Sequence, residues 1–187
     1  MDFSHLESSL VEITAFLKKN RIPYMVIGGI ANLFWGEPRT TLDVDITIWV
    51  DEQEISSLIQ KIKKVFSARV SNPREFVEKN RVLPILSKNQ FKIDIIFAIL
   101  EYEKQAIQHS VVKNIAGQKI HVCSPEDFVI HKIISEREKD REDVQKVLSR
   151  KDIKLNYVYL DLKVKQLAEF MERPDILKLY KAYKHTS

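Results

Sequence analysis

YMVIGGIANLFWGEPRTTLDVDITIWV, residues 24–50, is the stretch on which the fold turns. Its first six residues are apolar and closed by Gly28 and Gly29, the pattern of a short buried strand that bends sharply. Residues 30–35 can then form a short helix. Further on, Val44, Ile46, Ile48 and Val50 alternate with Asp43, Asp45, Thr47 and Trp49. A period of two predicts a strand over 42–50 with one buried face, so Asp43 and Asp45 project together from the other.

Two like charges that close are costly unless a cation lies between them. A hard divalent ion such as Mg2+, with Mn2+ as the alternative, takes oxygen ligands and leaves positions for phosphate and water. The glycines supply the complement. Without a Cβ, backbone can approach a ligand closely, and a helix starting there aims its free N–H groups at an anion. Asp94, in the middle of FKIDIIFA (91–98), stands on a separate strand and can add a third carboxylate. The set would then hold two ions, which orient an attacking hydroxyl and neutralise a leaving pyrophosphate. Metal on one side and phosphate on the other points to phosphoryl chemistry.

Working outward, Ser4 and Glu7 form a capping box ahead of Leu6, Leu10, Ile13, Phe16 and Leu17 at helical spacing, and Asn20 and Pro23 end that helix. Ile55, Leu58, Ile59, Ile62, Val65 and Phe66 predict another helix, packed on a sheet. Residues 81–86 and 91–98 predict a hairpin, with Pro84 placing the first strand at an edge. A helix over 101–109 and a strand KIHVC (119–123) follow. Ser124 and Pro125 then open a helix as N-cap and first residue. Its stripe is Phe128, Val129, Ile133 and Ile134; a second helix carries Val144, Val147 and Leu148, and the last begins near Pro174. No βαβ rhythm runs through this mixture, which predicts an α+β fold, a mixed sheet with packed helices. A catalytic domain is expected over 1–150 and a helical C-terminal extension over 151–187.

With 44% hydrophobic and 30% charged residues in 187, the composition is that of a globular chain. No apolar run approaches the roughly 20 residues that span a bilayer, and the start MDFSHLESSL has no leader pattern, so a cytoplasmic protein without a membrane partner is expected. Cys123 is the single cysteine, which leaves no intramolecular disulfide or cysteine-based zinc cage. Residues 150–187 carry nine basic and five acidic side chains against 21 of each in 1–149. That excess permits a polyanionic partner. His131, beside an apolar stripe, reads as a core residue, and Trp35 and Trp49 read as packing aromatics.

On these residues the chain resembles the nucleotidyltransferase superfamily that includes DNA polymerase beta: IGG, a spacer of 13 residues, DVD, then a later strand aspartate. The string GGIANLFWGEPRTTLDVD is more similar still to the abortive-infection (AbiEii-type) toxin-like nucleotidyltransferases of bacterial toxin–antitoxin systems. Their signature has an arginine and a hydroxyl residue before the acidic pair, here Arg39 and Thr41. SPEDFVIHKIISEREKDREDV (124–144) resembles that group's second region, an inward lysine and an aspartate-rich helix start, here Lys132, Asp140 and Asp143.

The resemblance implies a polymerase beta-like fold. It implies metal-dependent transfer of a nucleoside monophosphate from a nucleoside triphosphate (NTP) to a hydroxyl acceptor, with release of pyrophosphate. Asp43, Asp45 and Asp94 would be its catalytic carboxylates, holding two Mg2+ ions. Gly28, Gly29, Arg39, Thr41 and Lys132 would bind the nucleotide, Arg39 by gripping the triphosphate. Acceptors in keeping with it are tRNA or other RNA, a protein hydroxyl and an antibiotic hydroxyl, with an antitoxin protein as a further partner. The alternative is a catalytically silent module of the same fold that binds nucleotide or a partner.

Overall fold

The computed structural model describes residues 3–38 and 40–185. These residues fall into two compact units, one of residues up to Ile30 with Thr40–Cys123, the other of residues 31–38 with those from Ser124 onward.

The first unit is built on a seven-stranded mixed sheet in the order β3-β4-β5-β2-β1-β7-β6. Its strands are β1 (Tyr24–Val26), β2 (Asp43–Ile48), β3 (Ser67–Ala68), β4 (Val82–Leu86), β5 (Lys92–Phe97), β6 (Val111–Ile115) and β7 (Gln118–Val122). β2 runs antiparallel to β1 and parallel to β5, while β4 and β5 form the expected hairpin. Alternation along the strands gives the sheet two different faces. Val44, Ile46, Ile48, Leu83, Ile85, Ile93 and Ile95 are all fully buried on one. Each such side chain contributes roughly 1.5–3 kcal/mol of burial. The opposite face of the same strands carries Asp43, Asp45 and Asp94, all half-buried.

Among this unit's helices, α1 (Phe3–Lys19) packs on β2, and Phe16 meets Phe66 edge-on at 5.5 Å. A single 3-10 turn (Glu52–Glu54) leads into α3 (Ile55–Lys63), whose Ile55, Leu58, Ile59 and Ile62 are buried as their spacing predicts. α4 (Pro73–Asn80) and α5 (Glu101–Gln108) complete it. α2 (Gly28–Trp35) begins in this unit and ends in the other.

Pro84 corrects the expectation of an edge. β4 lies second from the edge because the two-residue β3 pairs with Leu86 and Ile85. That ladder stops where proline would fail it. The Pro84 carbonyl accepts from the Arg69 amide at 2.9 Å, so the side lacking an N–H faces a loop and not a strand.

The second unit contains α6 (Pro125–Ile133), α7 (Glu138–Ser149), α8 (Tyr157–Phe170) and α9 (Pro174–His185). Ser124 caps α6, accepting from the Asp127 amide at 3.0 Å, with Pro125 in the first turn. The four helices pack on one another, and the compact units divide at Cys123–Ser124. Among the described residues no helix is long and apolar enough to cross a membrane.

Candidate functional site

The site is assembled where β1 stops. Its ladder ends at Val26, the Ile27 amide still reaches the Asp45 carbonyl at 3.0 Å, and Gly28 turns the chain at φ +63° directly into α2. Here the glycines answer to neighbouring side chains. A Cβ on Gly28 would fall 2.0 Å from Asp45 Oδ2, and one on Gly29 2.2 Å from Thr41 Oγ1. Only glycine at both positions lets the first turn of α2, with its unpaired N–H groups, press against the acidic strand.

Thr41, nine-tenths buried, donates from Oγ1 toward the Asp43 carbonyl at 3.1 Å and toward Asp43 Oδ1 at 3.2 Å. The hydroxyl expected to contact nucleotide thus bonds the Asp43 carboxylate.

Asp45 stands directly opposite Asp94 in the parallel register of β2 and β5, and Asp43 lies opposite Lys92. Neighbouring strands are about 4.8 Å apart, so the Asp45 and Asp94 side chains leave the sheet side by side. Burial pushes the Asp94 carboxyl above its ordinary range and the Asp43 charge adds to this, outweighing the opposing pull of Arg69 and Lys92. Asp94 is gripped by Arg69, whose guanidinium donates to Oδ1 at 3.1 Å. Among the described residues no three His, Cys, Asp or Glu side chains are gathered closely enough to clasp a metal ion as arranged. Register brings the strands together, while Arg69 turns the third carboxylate to itself.

The donor set suits a hard divalent cation. Carboxylates from two adjoining strands share one half-buried sheet face, and the raised Asp94 pKa reflects first its burial and then the nearby Asp43 charge.

Lys132 is the inward lysine that the resemblance implied. It lies in the second unit, 8% exposed, between Asp140 and Asp143, with the Asp143 carboxylate 3.0 Å away. Burial alone would push the Asp140 carboxyl up, but hydrogen bonds from Lys132, Ser135 (2.7 Å) and Arg137 (2.5 Å) hold it below its ordinary value. An ammonium so committed knits α6 to α7. Arg39, expected on the triphosphate, lies outside the described residues.

Sequence reasoning missed Arg69. Its partner is 25 residues away, and no local pattern in SARVSNPRE marks it. The helix behind it was detectable, since Asn72, Pro73 and Glu75 form an N-cap, first-residue proline and acidic first turn.

Residues 4–187 match the family model described as "Nucleotidyltransferase of unknown function (DUF6036)". No curated protein matches the chain. Among solved structures, an antigenic nucleotidyltransferase-like protein from Paracoccidioides brasiliensis is similar at TM-score 0.55 and 22% identity, covering 96% of this chain and 93% of that one. The lincosamide antibiotic adenylyltransferase LnuA, solved with lincomycin bound, gives TM-score 0.53 and 20% identity over 76% of this chain and 96% of its own. The antibiotic-resistance factor ANT(2'')-Ia gives 0.52 and 17%, over 100% and 98%. At these identities the likeness is one of fold.

Proposed function

From the premise that the chain belongs to this nucleotidyltransferase family, we propose that it transfers a nucleoside monophosphate from an NTP to a hydroxyl acceptor at the open sheet face bearing Asp43, Asp45 and Asp94. The register of Asp45 with Asp94, beside the Gly28 turn, is the observation that carries this reading.

Asp43 and Asp45 would hold divalent metal, Mg2+ in the first instance, with Asp94 as the third ligand. Bound there, the metal supplies electrostatic neutralisation of the triphosphate and of the leaving pyrophosphate. The protein's own part is positional. Thr41 fixes the Asp43 carboxylate, and Gly28 and Gly29 let the first-turn amides of α2 approach the phosphates. The acceptor oxygen attacks the α-phosphorus, the bond between that phosphorus and the α,β-bridging oxygen breaks, and pyrophosphate departs. Asp94, already raised in pKa by burial, receives the hydroxyl proton.

For the acceptor, RNA is supported by the basic excess of residues 150–187. A small-molecule hydroxyl is the second reading, supported by the fold likeness to two antibiotic-directed proteins. Incubating the protein with α-labelled NTP, Mg2+ and either bulk RNA or a panel of hydroxylated small molecules tests both. Label transferred to RNA, falling steeply with added salt, supports the first. Salt-insensitive transfer to a small molecule supports the second. Nucleotide binding without transfer to any acceptor, lysate protein included, would favour the silent module.

A further inference from the structure

Arg69 is fixed by its backbone, and its side chain is paired but part-exposed. Its amide is fixed to the Pro84 carbonyl at 2.9 Å, while its guanidinium reaches Asp94 at 3.1 Å with the two side chains 32% and 31% exposed. Ion pairs that open to water are weak and readily exchanged. Arg69 also lines a cavity of about 410 Å³ together with Ser71, Asn72, Glu75, Phe76 and Lys79. Glu75 offers a second carboxylate there, at present held by Lys79 at 2.7 Å and by Asn72 at 2.9 Å. Arg69, paired with Asp94 on the sheet, and Glu75 on α4 thus line one cavity.

Resting on the metal-site reading above, we propose that Arg69 is a positioning residue for Asp94: it holds that carboxylate while no cation is bound and yields it to a divalent ion by turning toward Glu75. Asp94 cannot serve an arginine and a metal ion equally, because the two cations would repel each other across one carboxylate. Metal affinity is therefore reduced by the fraction of molecules in which Arg69 occupies Asp94. This accounts for the three aspartates sharing a sheet face without forming a ready-made cage.

The test is a Mn2+ titration, with free ion read by electron paramagnetic resonance at constant ionic strength and without nucleotide, on the wild type, Arg69→Gln, Arg69→Lys, Glu75→Gln and Asp45→Asn. Melting curves check folding. Arg69→Gln should bind Mn2+ roughly three- to tenfold more tightly, and Arg69→Lys, which keeps the charge, should stay near the wild type. Should Arg69→Gln fail to fold, Glu75→Gln carries the test, with affinity expected to drop about two- to threefold as the guanidinium loses its second seat. Unchanged or weaker binding in a folded Arg69→Gln overturns the proposal. If the wild type binds Mn2+ and Asp45→Asn does not, that failure belongs to Arg69 alone and the metal site stands. If the wild type binds no Mn2+, the site reading falls and this proposal with it.

Discussion

Asp45 and Asp94 face each other across two parallel strands of one sheet, 49 positions apart in sequence and one strand spacing apart in space. An arrangement that sets like charges side by side is unfavourable in an isolated fold. That arrangement supports placing the proposed chemistry on this face.

The glycine turn is the most exposed point of the design. Gly28→Ala would place a methyl 2.0 Å from Asp45 Oδ2 at a φ of +63°, where L-residues are strained. We expect a loss of about 1–3 kcal/mol in urea unfolding, together with weakened metal binding as Asp45 is pushed aside. An alanine variant with wild-type stability and metal affinity would show that the close approach has no consequence.

Thr41 acts through Asp43. Thr41→Val keeps the shape and removes the donor, so turnover should fall about tenfold, while Thr41→Ser should recover most of it. Stability should change by no more than about 1 kcal/mol, because a single hydroxyl proton, shared between two oxygens of half-buried Asp43, is lost. A larger rise in KM for NTP than fall in kcat would instead return Thr41 to direct nucleotide contact.

Lys132 should behave as a structural residue. Lys132→Met removes the buried cation that Asp140 and Asp143 share, leaving Asp140 to Arg137, and a loss of about 3–5 kcal/mol is expected, with KM for NTP unchanged in whatever folds. The same network sets an acid limb. Pairing lowers the folded-state pKa of Asp140 below its ordinary 3.8, so the stabilisation is complete above that value and is lost as pH falls beneath it. Unfolding free energies measured from pH 6 to pH 2.5 should decline below about pH 4 in the wild type, and less steeply in Asp140→Asn.

The parts of this account that were legible in the sequence are those written locally. Period-two alternation and a double glycine reveal β1, β2 and the acidic pair, and the Ser124–Pro125 cap locates α6. β3 has only two residues and no pattern to read, and β6 is half-exposed along its length, so neither stands out. α6 shows the same apolar stripe whether it covers a sheet or other helices, so the division at Cys123–Ser124 is not written in it. Arg69 and the burial of Lys132 depend on partners that only the fold brings near.

The central claim is that the carboxylates beside the Gly28 turn perform nucleotidyl transfer. Transfer of label from α-labelled NTP in Mg2+ should occur with the wild type and fall to background with Asp45→Asn, a change that preserves shape and removes one ligand charge, while the melting temperature stays equal or rises as repulsion with Asp94 is relieved. Undiminished transfer by a folded Asp45→Asn protein would contradict the account.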